Sequence, residues 1–113
     1  MKLIKEHITL QDLKHMSSRM FGGLVKAVVD LKREIMVVDA EMHADEEKFL
    51  LESGSKQEDL WGINIYPEVS DEGFIEFDSM INIRPRMNNF SRSIDSEEIR
   101  KKIISVVTKR VKK

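Results

Sequence analysis

A chain of 113 residues, 41% of them hydrophobic and 35% charged, can bury one core and is too apolar for a disordered segment. We therefore expect a single soluble domain over residues 1–113. The absence of cysteine excludes disulfides, thiolate metal sites and thiol nucleophiles. No apolar run is long enough to cross a bilayer, and residues 1–7 lack the apolar core of a signal peptide, so we expect a cytoplasmic location.

The net charge of −1 hides a partition of charge along the chain. Residues 39–78 contain two Lys/Arg and thirteen Asp/Glu, a net charge of −11, whereas residues 79–113 contain ten and three, a net charge of +7. The two parts can attract each other within one molecule or across a symmetric dimer. Alternatively, each part has its own partner: an anionic one for the end of the chain, and a cationic one or a metal for the middle.

The first predicted element is an amphipathic helix over residues 9–21. Thr9 is its predicted N-cap, with Asp12 at the third helical position, and Gly22 and Gly23 end it. Its apolar residues recur at helical spacing, at Leu10, Leu13, Met16, Met20 and Phe21.

Two strands follow, over residues 24–31 and 34–41, joined by a turn at Lys32 and Arg33. With this turn, Leu31 faces Glu34. The opposite face of the hairpin is apolar only in part, so we expect another element or a partner to cover some of it. The face predicted to form the core carries Val25, Ala27, Val29, Leu31, Met36, Val38 and Ala40.

A short helix is predicted next, over residues 45–53. Asp45 is its predicted N-cap, Glu46 and Glu47 lie at the positive end of the helix dipole, and Gly54 is the predicted C-cap.

An Ile-Asn-Ile alternation then occurs twice, at residues 63–65 and 81–83, and a proline closes each copy two residues later. We interpret the two copies as strands of one hairpin, because polarity alternates with a period of two and proline denies the ladder a donor. The alternation predicts a core face with the isoleucines and an opposite face that core formation leaves free. Asn64, Asn82 and Arg84 lie on that free face.

The last predicted element is a helix over residues 95–111 that begins with a capping box of Asp95 and Glu98. Its predicted buried stripe consists of Ile99, Ile103, Val106, Val107 and Val111. The element order is thus α-β-β-α-β-β-α. It predicts an α+β fold: a two-layer sandwich in which the helices pack on one face of a four-stranded, mainly antiparallel sheet.

An anion-binding site is the first functional hypothesis. Arginines alternate with amide and hydroxyl side chains just before the last helix, where free backbone N–H groups favour anions. Against it, asparagine and serine are ordinary loop formers, and acidic residues already supply charge to that helix end. The candidate ligand-binding residues are Asn64, Asn82, Arg84, Arg86, Asn88, Asn89, Ser91 and Arg92.

A catalytic alternative uses His43, Asp45, Asp78 and Arg84. His43 and Asp45 have the ligand types to hold Mg²⁺ or Mn²⁺, and a metal beside Arg84 would support phosphodiester hydrolysis. The spacing matches no metal signature, however, and no phosphate loop, dinucleotide fingerprint or hydrolase motif is present. We therefore assign no catalytic residue, no metal and no cofactor.

Three strings of the sequence resemble a family of small bacterial and archaeal proteins classed as a domain of unknown function. They are residues 43–47 (HADEE), 54–67 (GSKQEDLWGINIYP) and 75–85 (IEFDSMINIRP). The resemblance covers nearly the whole chain and implies no activity and no catalytic residue. The chain departs from the family at residues 88–92 (NNFSR), where a Gly-Asn-Arg-Ser-like loop is expected, and this departure affects the shape of the anion loop.

Together these patterns favour a non-enzymatic interaction module that pairs with itself through the Asn64, Asn82 and Arg84 face and the loop over residues 86–93. An anionic small molecule or another protein is the alternative partner, and we expect no membrane partner. The competing functions are the metal-dependent phosphodiester-acting enzyme and a regulatory nucleic-acid binder that contacts phosphates through the basic last helix. Few aromatic residues accompany the basic end, so a stacking platform for single strands is poorly supplied.

Overall fold

The computed structural model describes residues 1–20 and 22–113, and in this part of the chain three helices pack on a five-stranded sheet. The helices are α1 (Leu10–Ser17), α2 (His43–Glu52) and α3 (Glu97–Arg110). The strands, in chain order, are β1 (Lys2–Ile4), β2 (Ile8–Thr9), β3 (Val25–Asp30), β4 (Ile35–Val38), β5 (Leu60–Ile65), β6 (Ile75–Glu76) and β7 (Val111–Lys112). The predicted α+β class is confirmed.

The main sheet has the strand order β1-β4-β3-β5-β6, and every neighbouring pair is antiparallel. β2 and β7 form a separate, parallel pair. The sheet has five strands and not the predicted four, because β1 adds to the outer edge of β4, with Lys2 opposite Val38. A strand of three residues is too short to show a period of two, so the sequence pattern could not reveal it.

The hairpin of β3 and β4 has the predicted register. The predicted turn puts Leu31 opposite Glu34, and this register requires Asp30 to lie opposite Ile35. The structure has this pairing. The turn is stabilised locally, because the Asp30 carboxylate accepts a hydrogen bond of 2.9 Å from the backbone N–H of Lys32.

The sheet carries an apolar core on each face. The larger core lies between the sheet and the first and last helices, which confirms that these helices pack on the Ile/Val face. Its residues include Leu13, Met16, Val25, Ala27, Val29, Met36, Val38, Trp61, Ile63, Ile65, Ile103, Val106 and Val107. On the other face, Leu50 of α2 packs against the smaller core with Val28, Ile35, Val37 and Leu60. Helices therefore lie on both faces, and the prediction that they pack on one face is wrong for α2. The partial cover expected over the second face of the β3-β4 hairpin is α2.

The second copy of the Ile-Asn-Ile pattern is not a strand. β6 ends at Glu76, and residues Met80–Asn82 form a short 3-10 helix that Ser79 begins by accepting a hydrogen bond from the Ile81 N–H. Ile81 packs on the smaller core and Ile83 is exposed, whereas both were predicted on the core face with Ile63 and Ile65. The prediction of two equivalent strands is therefore wrong for its second half.

The helix ends agree with the sequence at some positions and not at others. Thr9 caps α1, and its hydroxyl accepts a hydrogen bond of 3.0 Å from the Asp12 N–H, as predicted. α1 ends at Ser17, before the predicted end at Phe21, and Phe21 itself lies outside the described residues. Gly54 follows α2 with a φ of +106°, the conformation expected after a helix end.

Two predicted N-caps are wrong. α2 begins after Met42, which makes no side-chain capping bond, and Asp45 lies inside the first turn. α3 is capped by Ser96 rather than by its neighbour Asp95, because the Ser96 hydroxyl accepts the hydrogen bond from the Ile99 N–H. Both N-caps differ from the prediction by one to three positions, a common error when several capping residues are adjacent.

Candidate functional site

The candidate residues gather along one edge of β5, beside α2. Beyond Glu76 the chain leaves the sheet, and residues 79–93, which we call the edge segment, run along the part of β5 that β6 does not pair. Most of the residues predicted to bind a ligand lie in this segment. Their side chains, however, have partners of very different kinds.

Asn82 takes the place of a missing strand residue. Its side-chain amide donates to the Gly62 carbonyl oxygen (2.9 Å) and accepts from the Gly62 N–H (2.8 Å), so that one amide satisfies both backbone groups of a residue on the strand edge. The same amide nitrogen lies 3.1 Å from the Arg92 carbonyl oxygen. Asn82 is fully buried, so the face predicted to remain free is covered here.

Asn89 holds the rest of the edge segment together. Its amide nitrogen donates to the carbonyl oxygens of Asn82 (2.8 Å) and Ser93 (2.7 Å), and its amide oxygen accepts from the Asp95 N–H (2.9 Å). Asn89 is buried as well. The two asparagines therefore form an internal network that satisfies backbone groups of a segment whose only helical parts are two 3-10 turns.

Arg84 links the edge segment to both β5 and α2. Its guanidinium donates to the carbonyl oxygens of Ile81 and Leu60, and it lies 3.6 Å from a Glu47 carboxylate oxygen. The guanidinium carbon is 4.8 Å from the centre of the Trp61 ring, within cation–π range. Burial lowers the pKa of Arg84, and the Glu47 carboxylate opposes that shift. Arg84 and Glu47 therefore form a partly buried ion pair that links the edge segment to α2.

Asn64 is a residue of β5, and its side chain links this strand to β6. Its amide nitrogen donates to Glu76 Oε1 (2.9 Å), and the same carboxylate oxygen accepts from the Tyr66 hydroxyl (3.1 Å). The Asn64 amide oxygen is buried and has no hydrogen-bond partner among the residues that the structure describes. Asn64 and Asn82 thus both bond to neighbouring segments of the chain instead of facing solvent.

The remaining candidates lie on the surface of the edge segment. Arg92 forms an ion pair with Asp78 (2.8 Å), and the Ser91 hydroxyl donates to Asp95 (3.3 Å). Arg86 and Asn88 are exposed, and Asn88 has a φ of +57°, a left-handed conformation that asparagine tolerates. The exposed cations of this loop are therefore Arg86 and Arg92, the second already opposite a carboxylate.

The catalytic alternative is brought together only in part. His43 is buried, and its Nε2 lies 2.7 Å from the Ile63 carbonyl oxygen, to which it donates as a neutral imidazole, because burial lowers the pKa of His43. Asp78 and Arg92 lie close enough to act on that pKa in opposite directions. Asp45 is exposed on α2, and Arg84 pairs with Glu47 instead. Among the described residues, no group of three or more His, Asp or Glu side chains is placed to hold a metal ion.

Glu46 is a buried acid that the sequence does not distinguish from its acidic neighbours. It is fully buried; one carboxylate oxygen accepts from the Ala40 N–H (3.1 Å), and the other has no partner within the described part of the chain. Burial raises the pKa of Glu46 to about 9, so it is protonated at neutral pH. The helical spacing of Glu46 with His43 and Leu50 was the available signal, because the three residues share the side of α2 that faces the sheet.

A second feature that the sequence interpretation missed is a set of exposed apolar side chains on the edge segment. Met80 is 65% exposed and Phe90 66% exposed, and Ile83 and Met87 are 39% and 37% exposed. We call these four residues the apolar patch. Large apolar side chains concentrated on one surface segment are typical of interaction sites.

Comparison with known proteins assigns a family but no activity. A search of curated proteins and a search of solved structures each found no match to this chain. No helix in the described part of the chain combines the length and apolar character needed to cross a membrane. A protein family described as "Protein of unknown function (DUF5674)" matches residues 2–110, nearly the full length, and the chain therefore belongs to that family.

Proposed function

We propose that this protein is a non-enzymatic interaction module that pairs with a second copy of itself through the edge segment and α2. The observation that carries the proposal is the apolar patch, four large exposed side chains on one short segment. Burying such side chains is the main source of affinity in protein interfaces.

The edge segment supports this role because it is held rigidly. Asn82, Asn89 and Arg84 each make several hydrogen bonds inside the molecule, and the segment is tied to both β5 and α2. A surface that is already ordered before binding loses little conformational entropy on association. These three residues therefore act as positioning residues for the surface rather than as contacts to a ligand.

Charge complementarity favours a second copy as the partner. The edge segment exposes Arg86 and Arg92, whereas α2 exposes two acids, Asp45 and Glu52, and one base, Lys48. It also exposes Phe49, at 37%. The two surfaces are neighbours, because the Arg84–Glu47 ion pair joins them. A two-fold axis beside them would set the basic edge segment of each copy against the acidic helix of the other, as isologous interfaces require. In this arrangement the anion that the loop meets is a carboxylate of the partner.

Self-association can be tested by sedimentation velocity and by size-exclusion chromatography with light scattering. We expect the wild-type protein to be dimeric at high concentration and Phe90→Asp to raise the dimer dissociation constant by about thirtyfold, the equivalent of a lost contact of about 2 kcal/mol. Arg86→Glu should weaken the dimer as well, and salt should weaken the wild-type dimer. Ile104→Asp is the matched control, because Ile104 is 44% exposed on α3, away from the proposed interface.

Two results would contradict the proposal. One is a wild-type protein that stays monomeric at about 1 mM, a concentration at which even weak specific dimers are populated. The other is equal weakening of the dimer by Phe90→Asp and Ile104→Asp, since the apolar patch would then have no special part in association.

A further inference from the structure

A groove lies away from the edge segment, between β6 and α3. It has a volume of about 1410 Å³ and is partly open to solvent. Its walls are α3, the start of α1 and the turn over residues 67–72, and its apolar lining includes Phe74, Ile75, Phe77, Ile104, Val107 and Val111. Pockets for small molecules are usually more enclosed and span roughly 300–1,000 Å³, so this groove has the dimensions of a channel for a chain segment.

The floor of the groove is an unpaired sheet edge. β6 is the outermost strand on its side of the sheet, and it pairs inward through Glu76 opposite Asn64 and through the Phe74 carbonyl, which accepts from the Tyr66 N–H (2.9 Å). In an antiparallel ladder, alternate residues direct their N–H and C=O to opposite sides.

Ile75 therefore directs its backbone groups outward, and Phe77 follows directly after the end of β6. Within residues 1–20 and 22–113, the backbone of Phe77 makes no hydrogen bond to another backbone group, and neither do the outward groups of Ile75. An open strand edge of this kind is a template for one more strand.

An added strand would also need a surface on which its side chains can pack, and α3 supplies that surface. Arg100 holds the two walls together, because its guanidinium carbon lies 5.0 Å from the centre of the Phe77 ring while its nitrogens donate to Ile94 O and to Ser93 Oγ (2.9 Å). Ile104 lies one helical turn further along α3 and is 44% exposed towards the groove. A sheet edge flanked by a helix is the arrangement in which extended peptides are bound by strand addition.

The charged residues around the groove indicate which charge an added peptide strand should carry. The turn over residues 67–72 carries Glu68, Asp71 and Glu72 and no basic residue. Glu68 pairs with Lys14 (3.6 Å), and on α3 Glu97 pairs with Lys101 (3.9 Å), so these charges are compensated. Among the described residues, Asp71 and Glu72 have no ion-pair partner. Arg100 and Lys113 also line the groove, on the side of α3 and the end of the chain, so the excess of negative charge is confined to the turn over residues 67–72.

We propose that the β6 edge and α3 form a docking groove for an extended segment of another protein, one in which apolar residues alternate with Lys or Arg, and that this segment adds to the sheet as a sixth strand. The apolar side chains of the segment pack between Ile75, Phe77 and Ile104, and its basic side chains face Asp71 and Glu72. This site is separate from the proposed self-association surface. A dimer formed through the edge segment leaves the groove free for the partner.

The test uses the full chain and a labelled peptide of about eight residues in which valine and lysine alternate. We expect binding in fluorescence anisotropy, and in NMR we expect slower hydrogen exchange at the Ile75 and Phe77 amides when the peptide is added. A peptide of the same length in which glutamate replaces lysine should bind about tenfold more weakly. A peptide with proline at alternate positions should not protect the two amides, because proline removes the ladder donors.

Variants of exposed residues keep the test independent of folding. Ile104→Asp should weaken binding of the valine–lysine peptide by about tenfold or more, and Glu72→Lys should reduce the preference for lysine over glutamate. Phe90→Asp is the matched control and should leave peptide binding unchanged. Unchanged exchange at Ile75 and Phe77 with the peptide at about 1 mM, or equal binding of the two charge variants of the peptide, would overturn the proposal. It would also be overturned if Ile104→Asp abolished self-association while Phe90→Asp did not, because the groove would then hold a second copy.

Discussion

Asn82 illustrates how one side chain can replace a stretch of strand. Its amide pairs with both backbone groups of Gly62, and Asn89 then bonds to the Asn82 carbonyl, so two asparagines support the whole edge segment. In the sequence, Asn82 is a polar residue at an alternating position, and nothing separates it from a solvent-facing one. The distinction depends on what lies across from it, and that is Gly62, twenty residues earlier.

We expect Asn82→Ala to lower the free energy of unfolding by about 2–4 kcal/mol, because it leaves the Gly62 N–H and C=O buried without partners. Chemical denaturation measures the change. Asn88→Gly is a suitable control, because Asn88 is exposed with a φ of +57°, which glycine adopts freely, and it should change stability little. Equal effects of the two substitutions would mean that the Asn82–Gly62 pairing does not stabilise the fold.

Glu46 makes stability depend on pH in the direction opposite to most carboxylates. Burial raises its pKa from an ordinary value of 4.5 to about 9, while nearby Lys26, the N-terminal amine and the Ala40 N–H oppose the shift and Asp39 adds to it. The folded state prefers the protonated acid. Its contribution is therefore fully present below pH 4.5 and is lost as pH rises from there towards about 9.

Glu46→Gln should remove this dependence, because an amide stays neutral and can still accept from the Ala40 N–H. At pH 7 we expect it to raise the free energy of unfolding by about 1–3 kcal/mol, with little gain at about pH 4.5 and more at about pH 8.5. Urea denaturation at several pH values measures the slope. Asp45→Asn, at the exposed side of the same helix, should keep the wild-type slope between about pH 5 and pH 8.5, and a Glu46→Gln slope equal to that of the wild type would contradict the assignment.

At the scale of elements, the two Ile-Asn-Ile runs have different structures. The first is part of β5; the second lies within the edge segment, with Ile81 and Asn82 in a 3-10 helix and Ile83 directly after it. The reason lies at Gly62, where an added Cβ would be 2.6 Å from both Cβ and Oγ of Ser79. Ser79 crosses directly over the strand at the one residue without a side chain, and the chain turns away from the sheet there instead of continuing to pair.

Gly62→Ala should therefore be destabilising by about 2–4 kcal/mol, since β5 and Ser79 must move apart. Ser79→Gly removes the clashing atoms but also the hydroxyl that begins the 3-10 helix, so it should cost stability by itself. We expect the double variant to be less destabilised than the sum of the two single variants, measured in a double-mutant cycle. Strict additivity would show that the close approach of Ser79 to Gly62 does not shape this part of the fold.

At the scale of the whole molecule, some charges of the acidic middle and of the basic end of the sequence pair with each other within one chain. Arg84–Glu47 and Arg92–Asp78 each join the basic end of the chain to its acidic middle. The first pair is partly buried and the second is exposed, so salt should affect the second more than the first. Exposed charges remain on both proposed surfaces, among them Arg86 on the edge segment and Glu72 at the groove beside β6.

We expect substitutions on the two surfaces to have separate effects. Phe90→Asp should weaken self-association and leave peptide binding intact, and Ile104→Asp should do the reverse. Because both residues are exposed, neither substitution should reduce stability by more than a few tenths of a kcal/mol. The pair therefore distinguishes failure of the proposed self-association from failure of the proposed docking groove.

Much of the fold follows from local rules. The β3-β4 register, the Thr9 cap, the stripe of α3 and the strand β5 were all predictable, because turn chemistry, capping and period-two or helical spacing act within a few residues. The candidate site was predictable only as a region. The sequence analysis put Asn64, Asn82 and Arg84 on one strand face, whereas Asn64 lies in β5 and the other two lie in the edge segment beside it. The alternation could not say which of them would be buried.

The sequence by itself determined the α+β class, the core face of the first hairpin and the helices that cover it. Tertiary structure alone decided that α2 covers the second face, that β1 widens the sheet, and that the second Ile-Asn-Ile run leaves it. The physical reason is the same in each case. Hydrophobic periodicity specifies which side of an element is apolar, whereas the partner of a buried amide, a buried carboxyl or an open strand edge depends on residues distant in sequence, and only packing brings them together.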